Sequence, residues 1–82
     1  MKVQVLFFGA TADAVGEREI VFSLDENTKA NEACAKILEA FPKLQRNFEK
    51  SLLFAVNQEY AKGDETIQNG DELAIFTAVS GG

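Results

Sequence analysis

The first strand-like segment, residues 2–8 (KVQVLFF), becomes apolar on both of its faces toward its end. Successive side chains of a strand point to opposite sides of the sheet, so alternate residues share a face. One face carries Val3, Val5 and Phe7. The other face carries Leu6 and Phe8. Because both faces need to be buried, this segment is predicted to lie inside a sheet rather than at its edge.

The next segments predict a second strand and one main helix. Residues 9–16 (GATADAVG) are small and bounded by glycine, which indicates a loop with room for one helical turn. Residues 17–24 alternate between apolar and polar side chains and predict a half-buried strand antiparallel to the first. Asn27 or Thr28 is a candidate helix cap. The apolar positions that follow recur at helical spacing: Ala30, Ala33, Cys34, Ile37, Leu38 and Phe41. Pro42 ends this helix, because the residue before a proline is pushed out of helical geometry.

Further strands are predicted in the C-terminal half. Residues 52–56 (LLFAV) form a dense apolar run typical of a buried strand, and residues 59–61 predict a short returning strand. The Asn-Gly pair at residues 69–70 signals a turn, since this pair tolerates a positive φ. Residues 73–77 (LAIFT) predict the last strand. Residues 43–51 predict a short second helix or a turn.

The predicted order is strand, strand, helix, strand, short strand, strand. One main helix packed across a mixed sheet is an α+β arrangement with two layers. If the last strand lies beside the first, the architecture is the β-grasp, or ubiquitin-like, fold, although the order alone is compatible with other α+β folds. We therefore predict a β-grasp domain over residues 1–77 and a flexible C-terminal Gly-Gly tail over residues 78–82.

The charge balance and the cysteine content exclude several classes of function. The chain has 13 acidic and 8 basic residues, and its net charge of -5 argues against nucleic acid, a polyanion, as a partner. No apolar run is long enough to span a bilayer, so we expect no membrane partner, and the strand-like start leaves no room for a signal peptide. A single cysteine fits the reducing cytoplasm, where we expect the protein to reside.

Nucleophilic and metal chemistry inside the domain have few candidate residues. Histidine is absent, and with it the usual proton shuttle and the commonest metal ligand. Cys34 could be a nucleophile or a sulfur carrier, but its place on the apolar stripe favours simple packing. Some acidic residues could hold a metal, yet they match no calcium-loop spacing and suit a solvated face: Asp64, Glu65, Asp71 and Glu72. We expect no bound metal and no catalytic group within the domain.

The C-terminal residues, AVSGG, carry the most distinctive functional group of the chain. Fully extended, they reach about 16 Å beyond the sheet. Glycine lacks a Cβ, so a Gly-Gly end is thin enough for a narrow channel. The terminal carboxylate is a poor electrophile, but adenylation by ATP converts it to a mixed anhydride that a sulfur, nitrogen or oxygen nucleophile can attack. The alternative is an accidental terminus, since a Gly-Gly end alone is a weak signal.

Several short segments resemble the small subunit of molybdopterin synthase, a family of ubiquitin-like sulfur carriers. They are VLFF at residues 5–8, AVNQ at 55–58, GDELAIF at 70–76 and VSGG at 79–82. They occur in the family's order and close to its spacing, and the resemblance covers the whole chain. One departure is that Thr77 and Ala78 stand where relatives often carry two prolines. Without the prolines the tail is less stiffened, which slightly favours a sister carrier with another sulfur acceptor.

The resemblance implies a reaction cycle. An ATP-dependent adenylating enzyme related to the ubiquitin activators would adenylate the carboxylate of Gly82, and a sulfur donor would convert it to a thiocarboxylate. The tail would then enter the large subunit of molybdopterin synthase and give its sulfur to a pterin precursor of the molybdenum cofactor. The chain would be a non-catalytic co-substrate subunit in a heterotetramer. It would bind no cofactor itself, because the ATP is used by the activating enzyme.

The resemblance also implies which residues contact partners. Phe76 matches an apolar contact residue at the base of the tail, with a core position at the end of a strand as the alternative. Tyr60 could be an exposed aromatic anchor or a partly buried strand residue. The tail residues that contact partners would be Val79, Ser80 and Gly81, next to Gly82. The acidic surplus of the chain suits basic rims on both partners.

Two other functions remain open at this point. The same chemistry could serve another acceptor, as in a carrier for thiamine or transfer-RNA thiolation, and the large synthase subunit would then fail to bind. A ubiquitin-like interaction module or protein modifier would instead form isopeptide conjugates with lysines and carry no thiocarboxylate.

Overall fold

A mixed sheet forms one layer of the molecule, for which a computed structural model describes residues 1–78. The strands are β1 (Lys2–Phe7), β2 (Glu19–Ser23), β3 (Leu52–Val56), β4 (Glu59–Tyr60) and β5 (Glu72–Thr77). They lie side by side in the order β2-β1-β5-β3-β4. The β1–β5 pair is parallel, and the other neighbouring pairs are antiparallel. The last strand thus lies beside the first, and the predicted β-grasp architecture is confirmed.

Helices cover one face of this sheet. They are α1 (Ala10–Val15), α2 (Ala30–Ala40) and α3 (Pro42–Phe48), and a short 3₁₀ turn (Glu49–Ser51) follows α3. The predicted main helix is α2, and the short second helix is α3. The segment 9–16 contains more regular structure than a loop, because its middle forms α1. None of the helices within residues 1–78 combines the length and the apolar character that crossing a bilayer requires.

Helix α2 begins after the residues predicted to cap it. Lys29 occupies the N-cap position, and its backbone N–H donates to the Glu32 carboxylate at 2.9 Å. Thr28 is buried, and its hydroxyl donates to the carbonyl of Asp25 at 2.6 Å. Because that hydroxyl closes the preceding turn, the prediction of a cap at Asn27 or Thr28 was wrong.

The core lies between the sheet and α2. Most of its buried side chains come from alternate positions of β1 and β5 and from one stripe of the helix: Val3, Val5, Phe7, Leu73, Ile75, Ala30, Ala33 and Ile37. Leu44 of α3 closes the core and is fully buried. The helical spacing and the face assigned to β1 are therefore confirmed. The alternate side chains of β1 and β5 point away from the helices, and the candidate site lies on that side.

Candidate functional site

The helix-free face of the sheet carries an apolar concavity, here called the sheet hollow. It is lined by Leu6, Phe8, Ala55, Tyr60, Ala74 and Phe76, with Gln58 and Glu72 at its edge. The strand register explains its shape, because Ala55 pairs with Ala74 on one side and with Tyr60 on the other. Two alanines thus form a low floor, and larger side chains stand around it.

Tyr60 and Phe76 come together at one wall of the sheet hollow. Their ring centroids lie 5.9 Å apart with an interplanar angle of 42°. Tyr60 is 70% exposed, which contradicts the alternative of a partly buried strand residue. Phe76 faces away from the core, whereas its neighbour Ile75 is buried in it. Both side chains therefore contribute apolar surface to the sheet hollow rather than to the core.

Phe8 extends the apolar surface toward the root of the tail. It follows β1 directly, is 52% exposed, and lines both the sheet hollow and a second groove. That groove, here called the tail-root groove, is formed by Phe8, Gly9, Ala10, Phe76 and Thr77. Phe8 and Phe76 thus connect the two concavities into one apolar surface that ends where β5 ends. Sequence reasoning assigned Phe8 to the sheet but missed its place in the site, which depends on its proximity to Phe76.

The chain leaves the sheet at Thr77. Leu52 pairs with Thr77, and the Ala78 N–H then donates to the carbonyl of Ser51 at 3.3 Å. The predicted tail contacts Val79, Ser80 and Gly81, and the predicted reacting residue Gly82, lie outside the described residues. Their roles, and the domain boundary predicted after Thr77, therefore stay predictions. The described chain ends beside the tail-root groove.

Thr11 is a site-adjacent residue that sequence reasoning missed. It is fully buried in α1, and its Oγ1 lies 2.8 Å from the carbonyl oxygens of both Phe8 and Ile75. The same oxygen accepts the Phe8 N–H at 3.0 Å. The only signal in the sequence was a threonine among small residues after a strand. A contact with Ile75, distant in the chain, could not be read from that signal.

Two of the four acidic residues considered as metal ligands, Glu65 and Asp71, accept hydrogen bonds from the backbone. The Glu65 carboxylate accepts the N–H groups of Lys62 and Gly63 at 2.7 and 2.8 Å, and these hydrogen bonds, that of Lys62 first, lower the pKa of Glu65. Asp71 accepts the N–H of Gln68 at 2.7 Å. Across residues 1–78, no group of three or more acidic or cysteine side chains is arranged to hold a metal ion.

Cys34 lies on α2 away from the sheet hollow. Its side chain is half-buried rather than fully buried. Burial raises the pKa of its thiol, so the reactive thiolate is disfavoured. The raised pKa agrees with the expectation that Cys34 is not a nucleophile, whereas its half-buried side chain is not part of the buried core that the apolar stripe predicted.

Comparison with known proteins identifies the family. The model of the ThiS family matches residues 5–82. The chain belongs to the ThiS family. It is similar over its full length to the molybdopterin synthase sulfur carrier subunit of Chlamydomonas reinhardtii, with 34% identity over 84 aligned positions that cover 100% of both chains. The resemblance predicted from the sequence motifs is thereby confirmed.

Solved structures show the same fold. The crystal structure of SAMP1 from Haloferax volcanii matches with a TM-score of 0.86 and 26% identity, over 100% of both chains. A chain from the complex of subunits 1 and 2 of molybdopterin-converting factor from Helicobacter pylori matches with a TM-score of 0.72 and 23% identity, again over 100% of both chains. At the latter identity the likeness shows the fold alone.

Proposed function

We propose that this chain is the sulfur carrier subunit of a molybdopterin synthase, and that the carboxylate of Gly82 carries the sulfur. The observation that carries this proposal is the apolar surface of Phe8, Tyr60 and Phe76 at the root of a segment that reads VSGG. Membership of the ThiS family and the full-length similarity to a sulfur carrier subunit support it.

The chemistry needs no side chain of the described domain. A carboxylate oxygen of Gly82 attacks the α-phosphorus of ATP, and pyrophosphate leaves. A sulfur donor then attacks the carbonyl carbon of the acyl adenylate, and AMP leaves with the bonding electrons. The thiocarboxylate sulfur then bonds to a carbon of the pterin precursor, and water hydrolyses the acyl–sulfur bond, which leaves the sulfur on the precursor and regenerates the Gly82 carboxylate. Two such transfers supply a dithiolene. All other catalytic groups belong to the partners, so the chain acts as a co-substrate.

The sheet hollow and the tail-root groove are the proposed docking surface for the large synthase subunit. Exposed aromatic side chains around a shallow floor are typical of interface anchors. The Helicobacter pylori chain of the same fold occurs in a complex of two subunits, which is consistent with a second subunit as the partner. We further propose that two copies of each subunit form a heterotetramer, and that a ubiquitin-activator-like enzyme uses the same surface during ATP-dependent activation in the cytoplasm.

The experiment that tests the proposal is intact-mass spectrometry. The chain is incubated with ATP, a sulfide source and a matching activating enzyme. We expect a mass gain equal to the replacement of one oxygen by sulfur, located at Gly82 by fragmentation. A variant with one residue added after Gly82 is the control, and it should fold normally but gain no sulfur. Thiocarboxylate formation on the extended variant would show that the carboxylate of Gly82 is not the reacting group.

The sulfur acceptor is tested separately. The thiocarboxylated chain should bind the large synthase subunit and convert a pterin precursor to its dithiolene. Thiolation without binding to that subunit would assign the chain to another thiolation pathway, such as that of thiamine or transfer RNA.

A second candidate function is protein modification. The likeness to SAMP1, which is described as a small archaeal modifier protein, favours it, because conjugation to lysine uses the same activated carboxylate. Isopeptide conjugates that depend on Gly82, without any thiocarboxylate, would establish this function in place of sulfur transfer.

A further inference from the structure

The buried hydroxyl of Thr11 has no part in the chemistry proposed above. Among the described residues, the buried polar side chains are those of Thr11 and Thr28. Thr11 is 0% exposed, and its Oγ1 lies within hydrogen-bond distance of the Phe8 N–H and of the carbonyl oxygens of Phe8 and Ile75. The hydroxyl carries one proton, which it donates to one of the two carbonyl oxygens at a time, while its oxygen accepts the Phe8 N–H. The contact with the Ile75 carbonyl is buried, so its loss costs more than the loss of an exposed hydrogen bond.

The hydroxyl acts where the β1–β5 ladder ends. The last residue pair of that ladder is Phe7 with Ile75. The next backbone contact, from the Phe8 N–H to the Ile75 carbonyl, is long at 3.4 Å. Thr11 Oγ1 bridges the same two residues with shorter distances, 3.0 Å to the Phe8 nitrogen and 2.8 Å to the Ile75 oxygen. The threonine therefore reinforces the connection between the two strands at the point where their direct hydrogen bond is longest.

Gly9 makes this return contact possible. Its backbone has φ 54 and ψ -123, a combination that side chains disfavour and glycine tolerates. The chain reverses there, so that α1 begins against the end of β1 and Thr11 comes back onto Phe8. The bridge thus depends on the sequence Phe8-Gly9-Ala10-Thr11 as a unit.

The residues joined by the bridge carry the docking surface. Phe8 lines both concavities, and Ile75 immediately precedes Phe76, which also lines both. We propose that Thr11 is a positioning residue: it fixes the spacing of Phe8 and Phe76 at the tail root and so sets the affinity for the large subunit without touching it. This inference rests on the proposed function, because it takes the large subunit as the partner.

The test is the affinity of the large synthase subunit for variants of Thr11, measured by calorimetry at a temperature where every variant is folded. Thr11→Val keeps the shape and removes the hydroxyl, and we expect it to weaken binding about tenfold, which is within the range for residues that act without touching the partner. Thr11→Ser keeps the hydroxyl and should bind as the unaltered chain does. Thr28→Val is the matched control, because it removes the other buried hydroxyl, which bonds to Asp25 far from the sheet hollow.

The outcomes separate positioning from general stability. Unchanged binding by folded Thr11→Val, or an equal loss in Thr28→Val, would overturn the inference. If Thr11→Val does not fold, the test is made with Thr11→Ser. This variant keeps the hydroxyl, so weakened binding by folded Thr11→Ser would contradict the positioning role of the hydroxyl.

A second readout separates this inference from the proposed function. Nuclear magnetic resonance of the free chain should show shifted ring signals of Phe8 and Phe76 in Thr11→Val but not in Thr28→Val. Failure of the unaltered chain to bind the large subunit would count against the proposed partner. In that case the resonance measurement on the free chain still tests the inference, because unshifted Phe8 and Phe76 signals in Thr11→Val would overturn the positioning role.

Discussion

At the scale of single residues, Asn57 connects two turns that are separated in the sequence. Its backbone adopts a left-handed conformation with φ 50. Its side chain donates to Asp71 Oδ1 at 3.1 Å and accepts the Glu72 N–H at 3.0 Å. The turn between β3 and β4 is thereby attached to the start of β5. This arrangement gives a physical reason for asparagine in the segment AVNQ, because asparagine tolerates the conformation and offers both a donor and an acceptor.

We expect Asn57→Ala to lower the free energy of unfolding by about 2 kcal/mol, since it loses two hydrogen bonds and places alanine, which tolerates the left-handed region less well than asparagine does, at this position. Asn57→Gly loses the same bonds without that strain and should cost about 1 kcal/mol. Urea denaturation measures both values. The control is Gln58→Ala, at φ 71, which makes neither bond and should change stability little. Equal losses in Asn57→Ala and Gln58→Ala would show that the hydrogen bonds contribute nothing.

Glu65 makes part of the stability of the fold depend on pH in the acidic range. Backbone N–H groups, that of Lys62 first, lower its pKa below the ordinary value of 4.5 in the folded state. A carboxyl whose pKa is lowered by folding stabilises the fold above its unfolded pKa, and this contribution is lost as the pH falls through the folded pKa. When the pH falls from neutral to below 4.5, we therefore expect the free energy of unfolding to decrease less in Glu65→Gln than in the unaltered chain.

Thermal unfolding across this pH range measures the effect of Glu65. Asp64→Asn is the control, because it removes a neighbouring exposed charge and leaves the Glu65 carboxylate in place. Parallel pH profiles for Glu65→Gln and the unaltered chain would count against the backbone hydrogen bonds as the cause.

At the scale of elements, a distant loop completes the start of α2. The first N–H groups of a helix have no partner within the helix. The Ala30 N–H donates to the Glu65 carbonyl at 2.8 Å, and the Asn31 N–H donates to the Gly63 carbonyl at 3.0 Å. Main-chain oxygens of residues 63–65 thus do what a capping side chain does elsewhere. This is why the prediction of a capping side chain at Asn27 or Thr28 was wrong.

Gly63 is the residue on which this loop depends. Its φ is 115, and an added Cβ would lie 2.5 Å from Asn31 Oδ1. We expect Gly63→Ala to lower the free energy of unfolding by about 2 kcal/mol, from backbone strain and from the displaced Asn31 side chain. Gly16→Ala is the matched control, because its φ of 85 is also positive but its Cβ would meet open space. Denaturation curves that show the same loss for both variants would exclude a contribution from Asn31.

The elements differ in how well the sequence pattern predicts them. β1, β5 and α2 were predictable because their apolar residues follow the strand and helix periods, which depend on local geometry alone. For α1 the sequence indicated only a loop with room for one helical turn, because a short run of small residues has no such period to define the bounds of a helix. Phe76 and Tyr60 were found through a family resemblance. Thr11 was missed because its partner Ile75 is distant in the sequence, and no local pattern encodes that contact.

At the scale of the whole molecule, the two faces of the sheet have different roles. The helices and one sheet face form the core, and the other sheet face holds the proposed docking surface. We expect Phe76→Ala to weaken binding of the large subunit by a factor of about ten or more, since truncated aromatic anchors at interface centres cost on this scale. Because the side chain is outside the core, the melting temperature should change little. Calorimetry and thermal denaturation of the same samples measure the two effects.

The control for Phe76 is Val21→Ala. Val21 is 69% exposed on the edge strand β2 and does not line the sheet hollow. Its truncation should leave binding unchanged. An equal loss of affinity in both variants would place the docking surface elsewhere or extend it across the whole sheet.

The parallel pairing of β1 with β5 also has a consequence for biosynthesis. β5 lies between β1 and β3, yet it follows every other strand of the described chain in the order of translation. A nascent chain that ends before Glu72 therefore has two separate strand pairs and no middle strand to join them. The sheet closes only when the segment leading into VSGG has left the ribosome. A truncated product would thus lack both the complete sheet and the tail, so that a prematurely terminated chain would not compete with the complete chain for the proposed activating enzyme.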